Sequence, residues 1–158
     1  MTVTLVLGGA RSGKSAVAER LVGDGPVTYV ATADASDMPE RVAAHQARRP
    51  VGWTTVETDD PAAAIAPATS AVLVDSLTAW VARAARFAVD ADALCRVVAD
   101  HDADVVLVSD EVGLGVHPST SAGREFRDAL GLVNQAVAAV ADEVLLVVAG
   151  RALRLERI

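Results

Sequence analysis

The sequence predicts an α/β fold in three layers, with helices on both faces of a mostly parallel sheet. Two observations carry this reading. Five apolar runs show almost no polar alternation, the pattern of strands covered on both faces. Segments of helical periodicity separate them, and a glycine-rich stretch, GGARSGKS, joins the first run to the first helical segment.

The runs are Val3–Leu7, Val27–Ala31, Ala71–Asp75, Asp104–Ser109 and Glu143–Ala149. After the first comes the helical stretch Ser15–Val22, with Val17, Ala18, Leu21 and Val22 sharing one face. Asp37-Met-Pro-Glu40 has the layout of a capping box with Pro39 in the first turn, and Pro50 stops the helix it opens. A long stripe runs through Phe126, Leu130, Val133, Val137 and Val140, at alternating spacings of four and three. Gly150 and Arg151 read as a turn, so Ala152–Ile158 is expected to form a short edge strand. No repeat or linker divides the chain, and residues 1–158 are expected to form one domain.

Composition narrows the function classes. Hydrophobic residues make up 52% of the 158 and charged residues 22%, which is a globular balance. Aromatics are only 3%, so Ala, Val and Leu must build the core. A net charge of −7 argues against nucleic acid as a partner. Cys95 is the single cysteine, which leaves no internal disulfide and no cysteine-based metal site. The opening MTVTLVLGG lacks a basic start and a cleavage site, and no run is long enough to cross a bilayer. A soluble cytoplasmic protein is expected.

Gly8-x-x-x-x-Gly13-Lys14-Ser15 matches the Walker A pattern, and the fold class becomes P-loop NTPase-like. The spacing has a chemical reason. Glycines let the backbone of Gly8, Gly9, Ala10, Arg11, Ser12 and Gly13 wrap phosphate oxygens with inward N–H groups. Lys14 neutralises the outer phosphates, the Ser15 hydroxyl ligates Mg²⁺, and the helix that follows points its positive end at the same place. Three acidic residues follow strands at the sheet edge where ligands bind: Asp75 after VLV, and Asp110 and Glu111 after VVLVS. Asp75 and Glu111 are candidate metal positions. Asp110 is equally open to capping a following helix.

The helix opened by Asp37 carries Arg41, His45, Arg48 and Arg49 on one face, with little apolar surface opposite. Arginines recruit a phosphate chain and favour the neutral imidazole, so His45 is a candidate nucleophile toward phosphorus. His101 and His117 have no such setting and are read as structural or surface residues. Trp53 and Trp80 are read as packing.

The segments GGARSGKS, YVATA, RVAAHQARRPVGWTTVE, VLVDSLTAW, VLVSDEVGLGVHP and REFRDALGLVNQAVAAVADEVLLVVAG together resemble the bifunctional adenosylcobinamide kinase/adenosylcobinamide-phosphate guanylyltransferases of cobalamin biosynthesis. The resemblance covers nearly the whole chain. It implies phosphorylation of adenosylcobinamide by GTP or ATP, then transfer of GMP from GTP to give adenosylcobinamide-GDP through a guanylylated His45. It implies nucleotide contacts at Gly8–Ser15, at Ala31, Thr32 and Ala33, at Gln46, Ala47, Arg48 and Arg49, and at Glu57 and Asp75. A Mg²⁺ requirement, a corrinoid substrate and a homotrimer are implied as well. Two departures stand out: a short segment from Ala82 to Asp102, where members carry a longer helical excursion, and the proline at position 39. Two other readings share the loop: another P-loop kinase for a small alcohol, needing Lys14 but not His45, and a non-catalytic GTP-binding sensor.

Overall fold

The structure, a computed structural model, describes residues 1–33 and 50–158. Seven strands of these residues form one sheet: β1 (Val3–Gly8), β2 (Val27–Ala31), β3 (Trp53–Glu57), β4 (Ala71–Asp75), β5 (Val105–Asp110), β6 (Glu143–Val148) and β7 (Arg151–Arg154). Their order is β3-β2-β4-β5-β1-β6-β7. Every pairing is parallel except the antiparallel β6–β7 hairpin. The five apolar runs are strands within a residue of their expected ends. The last strand is shorter and earlier than Ala152–Ile158, because the turn at Ala149 and Gly150, both at positive φ, starts pairing at once.

The helices among the described residues are α1 (Lys14–Val22), α2 (Pro61–Ile65), α3 (Leu77–Arg83), α4 (Ala91–Ala99) and α5 (Ser121–Val140), with a 3₁₀ turn at Ala85–Phe87. Four open on local chemistry. The side chains of Asp60, Ser76, Asp90 and Thr120 accept N–H groups in the first turns of α2, α3, α4 and α5. Helix α1 is different: Gly13, at φ 92°, precedes it and no side chain caps it. Its first N–H groups therefore keep the direction that an anion would meet.

Strand alternation sorts the core into two faces. Val3, Leu5 and Leu7 of β1 pack with α2, α3, α4 and α5, while Val6 packs with Val17, Ala18 and Val22 of α1. These are the three layers expected. The α1 face is narrower than its periodicity predicts, since Leu21 lies 44% exposed. The α5 stripe holds, with Leu130, Val133 and Val137 buried and Phe126 packed edge-on against Phe87.

Strand β3 has no counterpart among the sequence expectations. It is an edge strand with an open face, so WTTVE lacks the continuous apolar run that marks its neighbours. The signal it does carry is the β-branched triplet Thr54, Thr55 and Val56.

Candidate active site at the carboxyl edge of the sheet

Parallel register brings the carboxyl ends of six strands, β1 to β6, to one edge. Gly8 stands opposite Asp110, Ala31 opposite Asp75 on one side and Glu57 on the other. The loop from Gly8 to Ser15 leaves this edge between β1 and α1. A Cβ on Gly8 would run into the Ser12 hydroxyl and lie 2.7 Å from the Val147 carbonyl, so only glycine fits. Gly13 needs its positive φ, and a Cβ there would meet Gly150 at 3.3 Å. The Gly150 N–H donates to the Ser12 carbonyl at 2.7 Å, so the β6–β7 turn braces the loop from outside.

Lys14 folds back over the loop. Its Nζ lies 2.5 Å from Asp110 Oδ1 and 3.3 Å from the Gly9 carbonyl. Asp110 caps no helix, because the next one begins at Ser121. Its backbone is held from two sides: its N–H donates to Thr78 Oγ1 of α3 at 2.7 Å, and its carbonyl accepts from Asn134 Nδ2 of α5 at 3.1 Å. Asn134 is buried, and its Oδ1 has no hydrogen-bond partner. Ser15 is half-buried in the first turn of α1. Glu111 donates its N–H to the Gly8 carbonyl at 3.1 Å and spends Oε1 on the Gly113 N–H at 2.6 Å, within its own turn.

Asp75 accepts the Tyr29 hydroxyl on Oδ2 at 2.9 Å. Just beyond it, Thr32 is fully buried and its hydroxyl serves Ser76 twice, donating to the carbonyl at 2.6 Å and accepting the N–H at 3.0 Å. Arg83 closes the ring by donating to the Thr32 carbonyl at 2.8 Å. The side chain of Thr32 thus ties β2 to the start of α3. Beside it opens a cavity of about 590 Å³, walled by Trp80, Arg83, Ala84, Ala88 and Val89 and rimmed by Asp59, Asp60 and Asp90. Arg83, Ala84, Ala88, Val89 and Asp90 all belong to the segment from Ala82 to Asp102.

His45, Arg41, Gln46, Ala47, Arg48 and Arg49 lie outside the described residues, as does the proline at position 39. His101 is buried with its Nε2 at 3.1 Å from the Ser70 carbonyl, and the His117 ring meets Arg127 at 3.0 Å. Both keep structural settings. Trp80 is in the core and Trp53 stacks on Tyr29. Burial first, and Asp92 second, push the half-buried Cys95 thiol above its ordinary value, so it is a poor nucleophile at neutral pH.

Sequence reasoning did not reach Tyr29, Thr78, Arg83, Asn134 or Gly150. Each acts through a partner distant in the chain. Asn134 alone carried a local signal, as an amide on the buried stripe of a helix.

The donor set suits a hard cation only in part from the protein. No group of three or more His, Cys, Asp or Glu is placed to hold a metal among the described residues. A Mg²⁺ ion bound with a nucleotide needs less: one or two protein oxygens, with phosphate and water completing the shell. The Ser15 hydroxyl and the Asp75 carboxylate are oxygens of that kind.

Comparison with known proteins adds an independent line. The sequence profile of the cobinamide kinase/cobinamide phosphate guanyltransferase family matches residues 4–155. The bifunctional adenosylcobalamin biosynthesis protein CobP of Pseudomonas aeruginosa is 40% identical, over 92% of this chain and 92% of its own. CobU of Salmonella typhimurium, described in the same words, is 39% identical over 92% of this chain and 95% of its own. Among solved structures, the flagellar accessory protein FlaH of Methanocaldococcus jannaschii superposes with a TM-score of 0.54 at 16% identity, covering 98% of this chain and 78% of that one. That likeness speaks for the fold alone.

Proposed function

The chain belongs to the cobinamide kinase/cobinamide phosphate guanyltransferase family, and from that premise we propose how its residues divide the two reactions of this bifunctional enzyme. In the first, the hydroxyl of the adenosylcobinamide side chain takes the γ-phosphoryl group of a nucleoside triphosphate. In the second, adenosylcobinamide phosphate receives GMP from GTP, giving adenosylcobinamide-GDP and pyrophosphate.

The observation that carries the site assignment is the braced loop Gly8–Ser15, with Lys14 over it at the carboxyl edge of the sheet. Its backbone N–H groups and the open start of α1 hold the phosphates, and Lys14 meets the charge that develops on them. Ala31, Glu57 and Asp75, aligned on three neighbouring strands, and Ala33 just past β2 flank the rest of the nucleotide. Thr32 serves that edge by holding it in place, with its hydroxyl committed to Ser76, its N–H to the Asp75 carbonyl and its carbonyl to Arg83. Ser15 and Asp75 would hold Mg²⁺, with Glu111 a further candidate. The ion supplies charge neutralisation between phosphate oxygens.

For guanylyl transfer, an imidazole nitrogen of His45 forms a bond to the α-phosphorus while the α–β P–O bond breaks and pyrophosphate leaves. An oxygen of adenosylcobinamide phosphate then attacks the same phosphorus, and the P–N bond breaks. Gln46, Ala47, Arg48 and Arg49 belong to the same segment, and the two arginines steady the phosphates. The cavity beside Thr32 receives the acceptor's side chain. A homotrimer working in the cytoplasm completes the reading. No helix among the described residues is long and apolar enough to cross a membrane.

Incubation with adenosylcobinamide, GTP and Mg²⁺, followed by mass analysis of the corrinoid, tests both steps. The expected products carry first a phosphate and then a GDP group. α-Labelled GTP should label the protein, and His45→Ala should abolish that label. Persistence of the label in the variant would sink the covalent role of His45 and leave the kinase step standing.

A further inference from the structure

We propose that Asp110 is a built-in competitor of the nucleotide phosphates for Lys14, lowering nucleotide affinity. The proposal rests on the reading that Lys14 meets those phosphates. It starts from geometry: the Asp110 carboxylate lies 2.5 Å from the Lys14 ammonium, and both side chains are largely withdrawn from solvent, 26% and 13% exposed. A pair in this setting is screened less than a surface pair.

The backbone that carries the carboxylate is also fixed. Thr78 grips the Asp110 N–H and the buried Asn134 grips its carbonyl, from two different helices. Register fixes the same residue opposite Gly8, where the phosphate loop begins. Asp110 therefore places a negative charge, anchored through its backbone, at the mouth of an anion site. A polyphosphate entering the loop must share Lys14 with it or displace it, and it meets repulsion in either case. Both effects weaken binding. The cost falls on every phosphate-bearing ligand that reaches Lys14, so the residue favours release of bound nucleotide as well.

The sign is the opposite of what a ligand-binding carboxylate would show. Asp110→Asn keeps the shape, removes the charge and frees Lys14. In chelator, without divalent cations, the full chain carrying this substitution should bind a fluorescent GTP analogue roughly tenfold more tightly than the wild type, a size within couplings measured between groups that share a partner. The gain should shrink as salt rises. It should also shrink when Lys14→Ala is present, because the competition for Lys14 is then gone and only the direct repulsion by Asp110 remains. Asp110→Ala is read by the same criteria should the amide variant fold poorly. Binding that is unchanged or weaker for Asp110→Asn overturns the proposal. If Lys14→Ala alone leaves binding unchanged, the reading of Lys14 falls instead, and the competition with it.

Discussion

At the scale of single residues, the proposed site turns on Lys14. It sits with one carboxylate and one loop carbonyl as partners, both of which a phosphate chain would replace or share. On the proposed reading, removing it takes away a preorganised cation at the point where transferred charge accumulates. Lys14→Ala should lower kcat/KM for phosphorylation of adenosylcobinamide by roughly a hundredfold or more, in the range seen for loss of one charge-stabilising donor. Steady-state assay of the corrinoid phosphate checks this, and a loss under tenfold would remove Lys14 from the reaction. Gly8 matters for a different reason. Its position is set by contact with Ser12 and Val147, so it is a matter of space rather than chemistry.

At the scale of elements, the site is a meeting of ends. Ser76 begins α3, Arg83 ends it, and both return to Thr32 just past β2. This ring holds the edge where Asp75 stands and forms one wall of the 590 Å³ cavity. The segment from Ala82 to Asp102 is folded into the end of α3, a 3₁₀ turn and α4. It lines one side of the cavity, in part with the small side chains of Ala84, Ala85, Ala88 and Ala93. Ala88→Trp should fill much of that space and raise KM for adenosylcobinamide at least fivefold, leaving affinity for GTP unchanged. The size follows from the roughly 1–3 kcal/mol that steric misfit costs in packed sites. Equal effects on both ligands would place the acceptor elsewhere.

At the scale of the whole molecule, stability comes from the two faces of one sheet. Leu107, in the central strand β5, is fully buried against the α3–α5 side, and Val106 and Val108 face α1. Leu107→Ala leaves a cavity that neighbouring strands cannot close, and should cost about 2–5 kcal/mol of unfolding free energy. Denaturant unfolding measures it, and a cost below 1 kcal/mol would mean that the core relaxes around the gap. The few aromatics pack singly or in pairs, Tyr29 on Trp53 and Phe87 on Phe126, so aliphatic packing dominates as composition predicts.

The sequence by itself determined the fold class, five strands, the phosphate loop and the family. Strands buried on both faces need continuous apolar runs, and a loop that wraps phosphate needs glycine at set places. Both demands are local and therefore legible. It also marked Asp75 and Asp110, because acids that end strands of a parallel sheet share one edge. Tertiary structure alone decided which acid faces Lys14. Asp110 reads equally well as a helix cap until β5 is seen beside β1, with Thr78 and Asn134 holding it there. The edge strand β3, the brace from Gly150 and the ring through Thr32 and Arg83 were hidden for the same physical reason. Each depends on pairing between segments far apart in the chain, and a single sequence carries no trace of such contacts in its local pattern.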